Sequence, residues 1–503
     1  MPFFCWRRTL GVAMKTVETK SGAMKAKAKA RTPASLPAPS PQLDYAAFLH
    51  RKSQLGGNSG FEPVWMPDFL FDFQRSLVEW AIRKGRAAIF ADCGLGKTPM
   101  QLVWAENVRR HTNQPVLILT PLAVSAQTVR EAEKFGIDAQ RSHDGQVQPN
   151  ITVTNYERLH YFNADDFAGV VCDESSILKN FDGVRRKNVT EFMKKLEFRL
   201  LCTATAAPND FIELGTSSET LGELGHMDML AKFFKNDDKS LFLHGTKYGD
   251  MTQKSWRFKA HSEEAFWRWV CSWGRACRKP SDLGFDDTRF VLPQLVTREY
   301  EVKARSLPDG YLFDVGARTL QEQRDEQRRT VQGRCEAAAK LATHKDPVIA
   351  WCHLNSEAEL LKEMIPDAIE VSGADSDEAK EEAFEGFAKG QFRALVTKPK
   401  IGCLGMNFQH CAHQTFFPSH SFEQWYQAVR RSWRFGQTKK VTIDMVTTEG
   451  AEGVLASLKR KTESAERMFG KLVHLMNRFQ QIERSAYGNQ NVESPAWLRS
   501  SKN

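Results

Sequence analysis

No stretch of this chain approaches the roughly 18 consecutive apolar residues that a membrane-crossing helix needs, which excludes a helical membrane span. There is no Cys-x-x-Cys pair, and the N-terminus lacks the apolar core of a signal peptide. The ten cysteines, among them Cys93, Cys172, Cys202, Cys352 and Cys403, fall mostly in apolar, strand-like runs. They argue against a zinc site and read as reduced, buried thiols of an intracellular protein. Charge of one sign is also scarce once the N-terminus is set aside. Of the formal +9, the first 40 residues supply +7, from eight Lys and Arg against Glu18, and the remainder carries +2. Such a tail can bind phosphates nonspecifically, but residues 1–45 are expected rather to be a disordered basic tail or a wrongly assigned start, with Met14 and Met24 as alternative starts. A length of 503 residues exceeds one hydrophobic core and predicts about three domain-sized units of ordinary soluble composition.

From about residue 65, short apolar runs alternate with helix-like stretches, the pattern of parallel strands covered by helices on both faces. AAIFA (87–91), VLILT (116–120), AGVVC (168–172) and RLLCTAT (199–205) form one set. PVIAWC (347–352), AIEVSG (368–373), ALVTKP (394–399), TFFPS (415–419) and VTIDMV (441–446) form a second. Two open α/β sheets predict a ligand crevice beyond the carboxyl ends of their strands. Between the sets, residues 215–295 read as an aromatic-rich, mostly helical insertion. Its Trp256, Phe258, Phe266, Trp267, Trp269 and Trp273 are of a type that stacks on bases. Phe266, Trp269, Val270 and Trp273, however, recur at helical spacing and predict a stripe facing a core. Cys271 and Cys277 near His261 match no standard metal-site spacing. Met468, Leu472, Leu475, Phe479 and Ile482 recur every three or four residues and predict an amphipathic C-terminal helix packed back onto the second lobe.

The chemistry begins at ADCGLGKT (91–98), which follows a strand and opens a helix-like run. Gly94, Leu95 and Gly96 let backbone N–H groups approach phosphates, Lys97 supplies a cation to the outer oxygens, and Thr98 offers a hydroxyl to Mg2+. Ala91 stands where such loops usually begin with glycine. GVVCDESS (169–176) delivers two carboxylates to a strand tip: Asp173 for the metal and Glu174 to orient or deprotonate a water. TATAAPND (203–210) offers Thr203 and Thr205. QAVRRSWRFGQ (427–437) places Arg431 and Arg434 on one helical face, with planar guanidiniums suited to phosphate. Taken singly these are a chance turn, a solvated acidic tip and a solvated arginine face. Their order along one chain favours function. No guanine-reading NKxD element is present, so ATP is the expected nucleotide.

DESSILKN resembles the DExH-x-LKN stretch of Swi/Snf-like motors, with Ser176 in place of histidine and Lys179 and Asn180 matching its end. TATAAPND is similar to the TGTPxxN motif, FDFQRSLVEWAI to the glutamine motif, TKPKIGCLGMNFQHC (397–411) to the glycine-rich fifth motif, and QAVRRSWRFGQ to QxxxRxxRxGQ. Six motifs in order over roughly residues 70–440 resemble superfamily-two helicases, closest to their Swi/Snf-like translocase branch and to its phage and prophage members. The resemblance implies two tandem RecA-like parallel-sheet lobes (46–214 and 296–450), the insertion at 215–295 and a C-terminal helix and tail at 451–503. It implies an ATP hydrolase using Mg2+, held by Thr98 and Asp173. Gln74 would read adenine, Gln427, Arg431 and Arg434 would reach the nucleotide from the second lobe, and Thr203 and Thr205 would couple nucleotide state to lobe position. Pro121, Asn155, Gly405 and Asn407 would contact nucleic acid. The implied partner is DNA, duplex favoured, gripped by its backbone without membrane involvement. The resemblance further implies a monomer, replication, recombination or phage proteins as partners, and the cytoplasm of a bacterial or phage-infected cell. An RNA helicase of the DEAD group should show DEAD and SAT where this chain has DESS and TAT. An ATP-gated clamp or recruitment protein would bind ATP and DNA without cycles of turnover.

Overall fold

The computed structural model describes residues 57–179, 181, 183–207, 210–236, 256–303, 320–402 and 407–488. The tail expected at 1–45, Asn180, Gly405 and the side chains of Phe479 and Ile482 lie outside the described residues. The chain is α/β and is built on two parallel sheets. The first contains β1 (Arg86–Ala91), β2 (Val116–Thr120), β3 (Ala139–Arg141), β4 (Ile151–Asn155), β5 (Gly169–Asp173) and β6 (Phe198–Cys202). Among the described residues, β7 (Phe234–Asn236) and β8 (Trp256–Phe258) form a small antiparallel pair. The first sheet is completed by β9 (Gly274–Cys277), in the order β3-β4-β2-β5-β6-β1-β9. The second contains β10 (Leu295–Val302), β11 (Val348–Trp351), β12 (Ala368–Val371), β13 (Ala394–Thr397), β14 (His413–Phe416) and β15 (Val441–Thr448), in the order β10-β15-β14-β11-β13-β12.

The period-two alternation of a strand explains why these runs are apolar throughout. In β1, Ala88 and Phe90 enter one core while Ala87, Ile89 and Ala91 enter the core on the opposite face. In β11, Ile349 and Trp351 face one way and Val348 and Ala350 the other. Both faces of each sheet are covered, so neither face needs polar residues.

Two expectations are corrected. The segment read as an insertion at 215–295 is not separable from the first lobe. Its helix Ser262–Trp273 buries Phe266, Trp269, Val270 and Trp273 in the core that also holds Phe90. The chain then continues into β9, which pairs in parallel with β1. Phe90 meets Trp273 edge to face with ring centroids 6.1 Å apart. The stripe is therefore core, and its aromatics are not offered to bases. The C-terminal helix, Glu452–Gly488, does not pack on the second lobe alone. Leu458 joins the second-lobe core, whereas Phe469, Leu472, Val473 and Met476 join the first-lobe core beside Trp273. The backbone N–H of Ala276 donates to the sulfur of Met476 at 3.1 Å. At about 1.5 Å per residue a helix of 37 residues is long enough to serve both lobes. Among the described residues, no helix is long and apolar enough to cross a membrane.

Trp273→Ala removes a fully buried indole from the first-lobe core, and such truncations cost about 3–5 kcal/mol. The main urea transition should shift to lower denaturant by that free energy divided by the m-value. A separable insertion would leave it where it was.

Candidate functional site

Strand order brings the motifs together. Because β5, β6 and β1 are adjacent and parallel, with Asp173 opposite Cys202 and Cys202 opposite Ile89, their carboxyl ends emerge side by side. The carboxylate pair leaves β5, the Thr203 loop leaves β6, and the glycine-bearing loop leaves β1.

That loop is shaped by two left-handed glycines, Gly94 at φ +89° and Gly96 at φ +73°. Close approach reinforces the requirement. A Cβ on Gly94 would lie 2.7 Å from the backbone nitrogen of Phe435, and one on Gly96 would lie 2.3 Å from the Gln74 amide nitrogen. Gly96 is the N-cap of helix Lys97–Thr112, and no side chain caps the exposed N–H groups there. The Lys97 ammonium donates back to the carbonyls of Ala91 (3.1 Å) and Asp92 (3.4 Å), and Thr98 sits in the helix's first turn. Buried Gln74 donates to the Leu95 carbonyl at 2.9 Å and accepts from the Phe71 backbone N–H at 3.0 Å. Its carboxamide thus supports the loop from beneath. Phe71, Phe290 and Phe435 gather beside it, with Phe290 stacked on Phe435 at 4.7 Å.

At the β5 tip, Asp173 accepts a 2.7 Å hydrogen bond from Gln101, and the Tyr156 hydroxyl donates to its carbonyl at 2.6 Å. Burial pushes the Asp173 carboxyl up to about 6. The Gln101 hydrogen bond and Lys97 oppose this shift, and Glu174 adds to it. Glu174 adopts φ +51°, uncommon for a residue with a side chain. Its Oε1 accepts from Thr203 Oγ1 at 2.8 Å and from Ser176 Oγ at 2.7 Å. The serine that replaces histidine therefore bonds the carboxylate in its own motif. The contact to the third motif runs from Thr203, whose Oγ1 also accepts from the Thr205 backbone N–H at 3.0 Å. Buried Ser175 Oγ and Thr205 Oγ1 have no hydrogen-bond partner.

The second lobe reaches this loop through helix Phe422–Ser432, capped by Ser421. Arg434 and Phe435 lie over Gly94. Arg434 Nε is buried without a partner, and burial, with Arg431 adding to it, lowers the Arg434 guanidinium to about 10. Arg431 Nε donates to the carbonyl of buried Gln427 at 3.3 Å. The Arg431 carbonyl accepts from Phe408 N–H at 3.0 Å, tying the arginine helix to the fifth-motif turn. In that turn, Asn407 Oδ1 accepts from Gln409 N–H at 3.3 Å. Gly402 packs so closely that an added Cβ would lie 2.7 Å from Thr397 Cγ2.

Most of the residues that anchor the lobes lie inside the quoted motifs, but the sequence pattern gives them no task there. Asp92 is buried in the loop. Its Oδ2 accepts from Arg430 Nη2 at 2.5 Å, and its Oδ1 accepts from the Tyr426 hydroxyl and, at 2.6 Å, from Cys93 N–H. Burial alone would lower the Arg430 guanidinium, but Tyr426 and Asp92 more than offset this and hold it above its usual value. Lys179 pairs with Glu423 across the same junction. A cavity of about 590 Å3 borders the Asp92–Arg430 pair and is walled by Trp425, Trp433, Thr205 and Phe469.

Two of the residues expected to contact nucleic acid sit in turns. Asn155 is buried, and its Oδ1 accepts from Arg158 N–H at 3.2 Å, capping the turn Tyr156–Tyr161. Pro121 is buried as the N-cap of the turn Leu122–Val124. Each stands at the start of its turn, one as a side-chain cap and the other through its backbone. Among the described residues, no group of three or more His, Cys, Asp or Glu side chains is arranged to hold a metal by itself. No protein-family model matches the sequence, and no match to a curated protein is found.

Two outcomes follow for the ligand-free chain. The folded pKa of Asp173 lies above its unfolded value, so ionising it costs stability as pH rises towards about 6. In chelator, Asp173→Asn should be more stable than the parent at pH 8, by on the order of 2 kcal/mol, and the difference should close by about pH 4. Arg430→Ala leaves buried Asp92 uncompensated, a loss of about 3 kcal/mol, and amide exchange should quicken at 93–97 and 422–433.

Proposed function

We propose that this chain is an ATP hydrolase of the Swi/Snf-like type that couples turnover to movement along duplex DNA, its two parallel sheets serving as RecA-like lobes. One observation carries the reading. The carboxylate pair and hydroxyl loop of one lobe and the arginine helix of the other converge on a single glycine-bearing loop at a helix N-terminus. A passive nucleotide binder needs the loop but neither a water-directing glutamate nor arginines from an opposing lobe.

On this reading the N–H groups of residues 94–98 and Lys97 hold the phosphates, releasing Lys97 from its loop carbonyls. Glu174 orients the attacking water and accepts its proton. Thr203 and Ser176, both bonded to Glu174 Oε1, fix the direction of that carboxylate. Thr98 and Asp173 fit Mg2+, since a hydroxyl and a carboxylate beside a phosphate site are its usual protein ligands; bound there, it neutralises phosphate charge. Arg434, whose Nε has no partner in the protein, stabilises the charge that develops on the transferred group, and Arg431 supports it. Thr203 reports the state of the site to the loop that follows β6. Gln74 acts on the nucleotide side by holding Leu95, with adenine placed beside Phe71 and Phe290. The chain works as a monomer on the DNA backbone.

Lys97→Ala and Glu174→Gln should both abolish turnover, and ATP binding should weaken only in the first. Equal, weak binding by both would overturn this division of roles. Arg434→Ala should lower turnover about a thousandfold. Duplex DNA should stimulate hydrolysis at least as well as single strands and more than RNA of matched length. RNA as the best activator, or no response to duplex, would end the DNA assignment and leave the ATPase assignment standing.

A further inference from the structure

Three arginines of the first lobe come from three different elements. Arg130 lies in helix Ser125–Lys134, Arg141 ends β3, and Arg158 lies in the turn capped by Asn155. All three meet one helix of the second lobe, Asp377–Ala388. Arg158 pairs with Asp377 at 3.9 Å and Arg130 with Glu385 at 3.2 Å. Arg141 grips Glu381 with both arms, at 2.6 and 2.9 Å. The acceptors recur every fourth residue, so they form a gently winding row of carboxylates with a rise of about 6 Å between neighbours, of which Asp377 and Glu385 also pair with Lys380 and Lys389.

This ladder is a poor device for holding lobes together. The paired side chains retain 20 to 50% of their exposure, and pairs of that kind contribute between nothing and about 1 kcal/mol each. It is well suited to exchange. A nucleic-acid strand also presents single negative charges in a regular row, and arginine forks match phosphate as they match carboxylate.

We propose that Arg130, Arg141 and Arg158 form a phosphate track for a nucleic-acid backbone, which helix Asp377–Ala388 covers with its own carboxylates. Binding then displaces the helix from the first lobe, so the chain's own acids compete with its partner. The track rests on the nucleic-acid reading above but does not require ATP hydrolysis.

The test measures binding of a short random-sequence duplex to the full chain by fluorescence anisotropy, without nucleotide, over a salt series. Neutralising the helix (Asp377→Asn, Glu381→Gln, Glu385→Gln) should tighten binding threefold or more. Neutralising the track (Arg130→Gln, Arg141→Gln, Arg158→Gln) should weaken it and reduce the slope of log K against log salt by two to three, since each phosphate that is no longer neutralised removes about 0.9 from that slope. Arg141→Gln alone, which perturbs the fold least, should reduce the slope by about one. Duplex should also quicken amide exchange in 377–388. A helix variant that binds no tighter, or a track variant with the parental salt slope, overturns the proposal. Binding with this pattern in a chain that hydrolyses no ATP would end the motor reading and keep the track. DNA-stimulated hydrolysis with an unchanged slope would do the reverse.

Discussion

The buried carboxylate of Asp92 sets the geometry of the whole site. It belongs to the glycine-bearing loop of the first lobe and accepts from the loop's own Cys93 N–H, yet its other partners, Arg430 and Tyr426, come from the second lobe and decide where that lobe sits. A carboxylate removed from water needs such saturation, and losing one partner of a buried pair typically costs about 3–5 kcal/mol. Tyr426 and Arg430 stand four apart on helix Phe422–Ser432 and share the face that meets Asp92. With that face fixed, the end of the helix is carried over Gly94, which places Arg434 and Phe435 at the loop. The placement of Arg434, which on the proposed reading acts on a phosphate, is thus set by a neighbouring residue that does something else.

The strands were legible because burial on both faces leaves no polar alternation to confuse. AAIFA, VLILT, PVIAWC and VTIDMV all lie in the two sheets. The strands of the two sheets that escaped detection are β3, β4, β9 and β10: β3 has only three residues, and β4, ITVTN, is fully buried but alternates threonine with apolar residues. β9 is four residues long and contains Gly274 and Arg275, and β10, LVTREYEV, is half exposed at a sheet edge, so neither reads as a buried run. The C-terminal stripe was visible as a period, but a period shows only that a face is covered and not which lobe covers it. Asp92 and Arg430 are 338 residues apart, and nothing local marks them as partners. Asn155 and Pro121 stand out in the sequence, but their place at the start of turns was not legible, since a capping residue and a ligand contact look alike there.

The Glu174 cluster shows how a departure from the motif pattern that the sequence resembles can be absorbed. With serine at 176, the second motif makes no reach towards the third. Instead Thr203 crosses from the end of β6 to Glu174, and Ser176 bonds the same oxygen. On the proposed reading, any movement of the loop after β6 changes the support of the water-directing carboxylate directly, with one hydrogen bond between them. Thr205 lines the cavity beside Arg430, so the same loop also borders the space between the lobes. Close-packed interiors resist small displacements, whereas a cavity gives aromatic walls such as Trp425 and Trp433 room to repack.

Charge in this chain is sorted rather than abundant. Outside the first 40 residues the formal excess is only +2, which by composition alone says nothing of nucleic acid. Composition averages over partners, however, and at this one junction, unlike at the Asp92–Arg430 pair, the arginines come from the first lobe and the carboxylates from helix Asp377–Ala388 of the second. Such a junction is neutral only while closed. Parting the lobes would expose a basic row on one side and an acidic row on the other. The affinity for a polyanion would then follow lobe position, which is the coupling that a motor on a charged backbone requires.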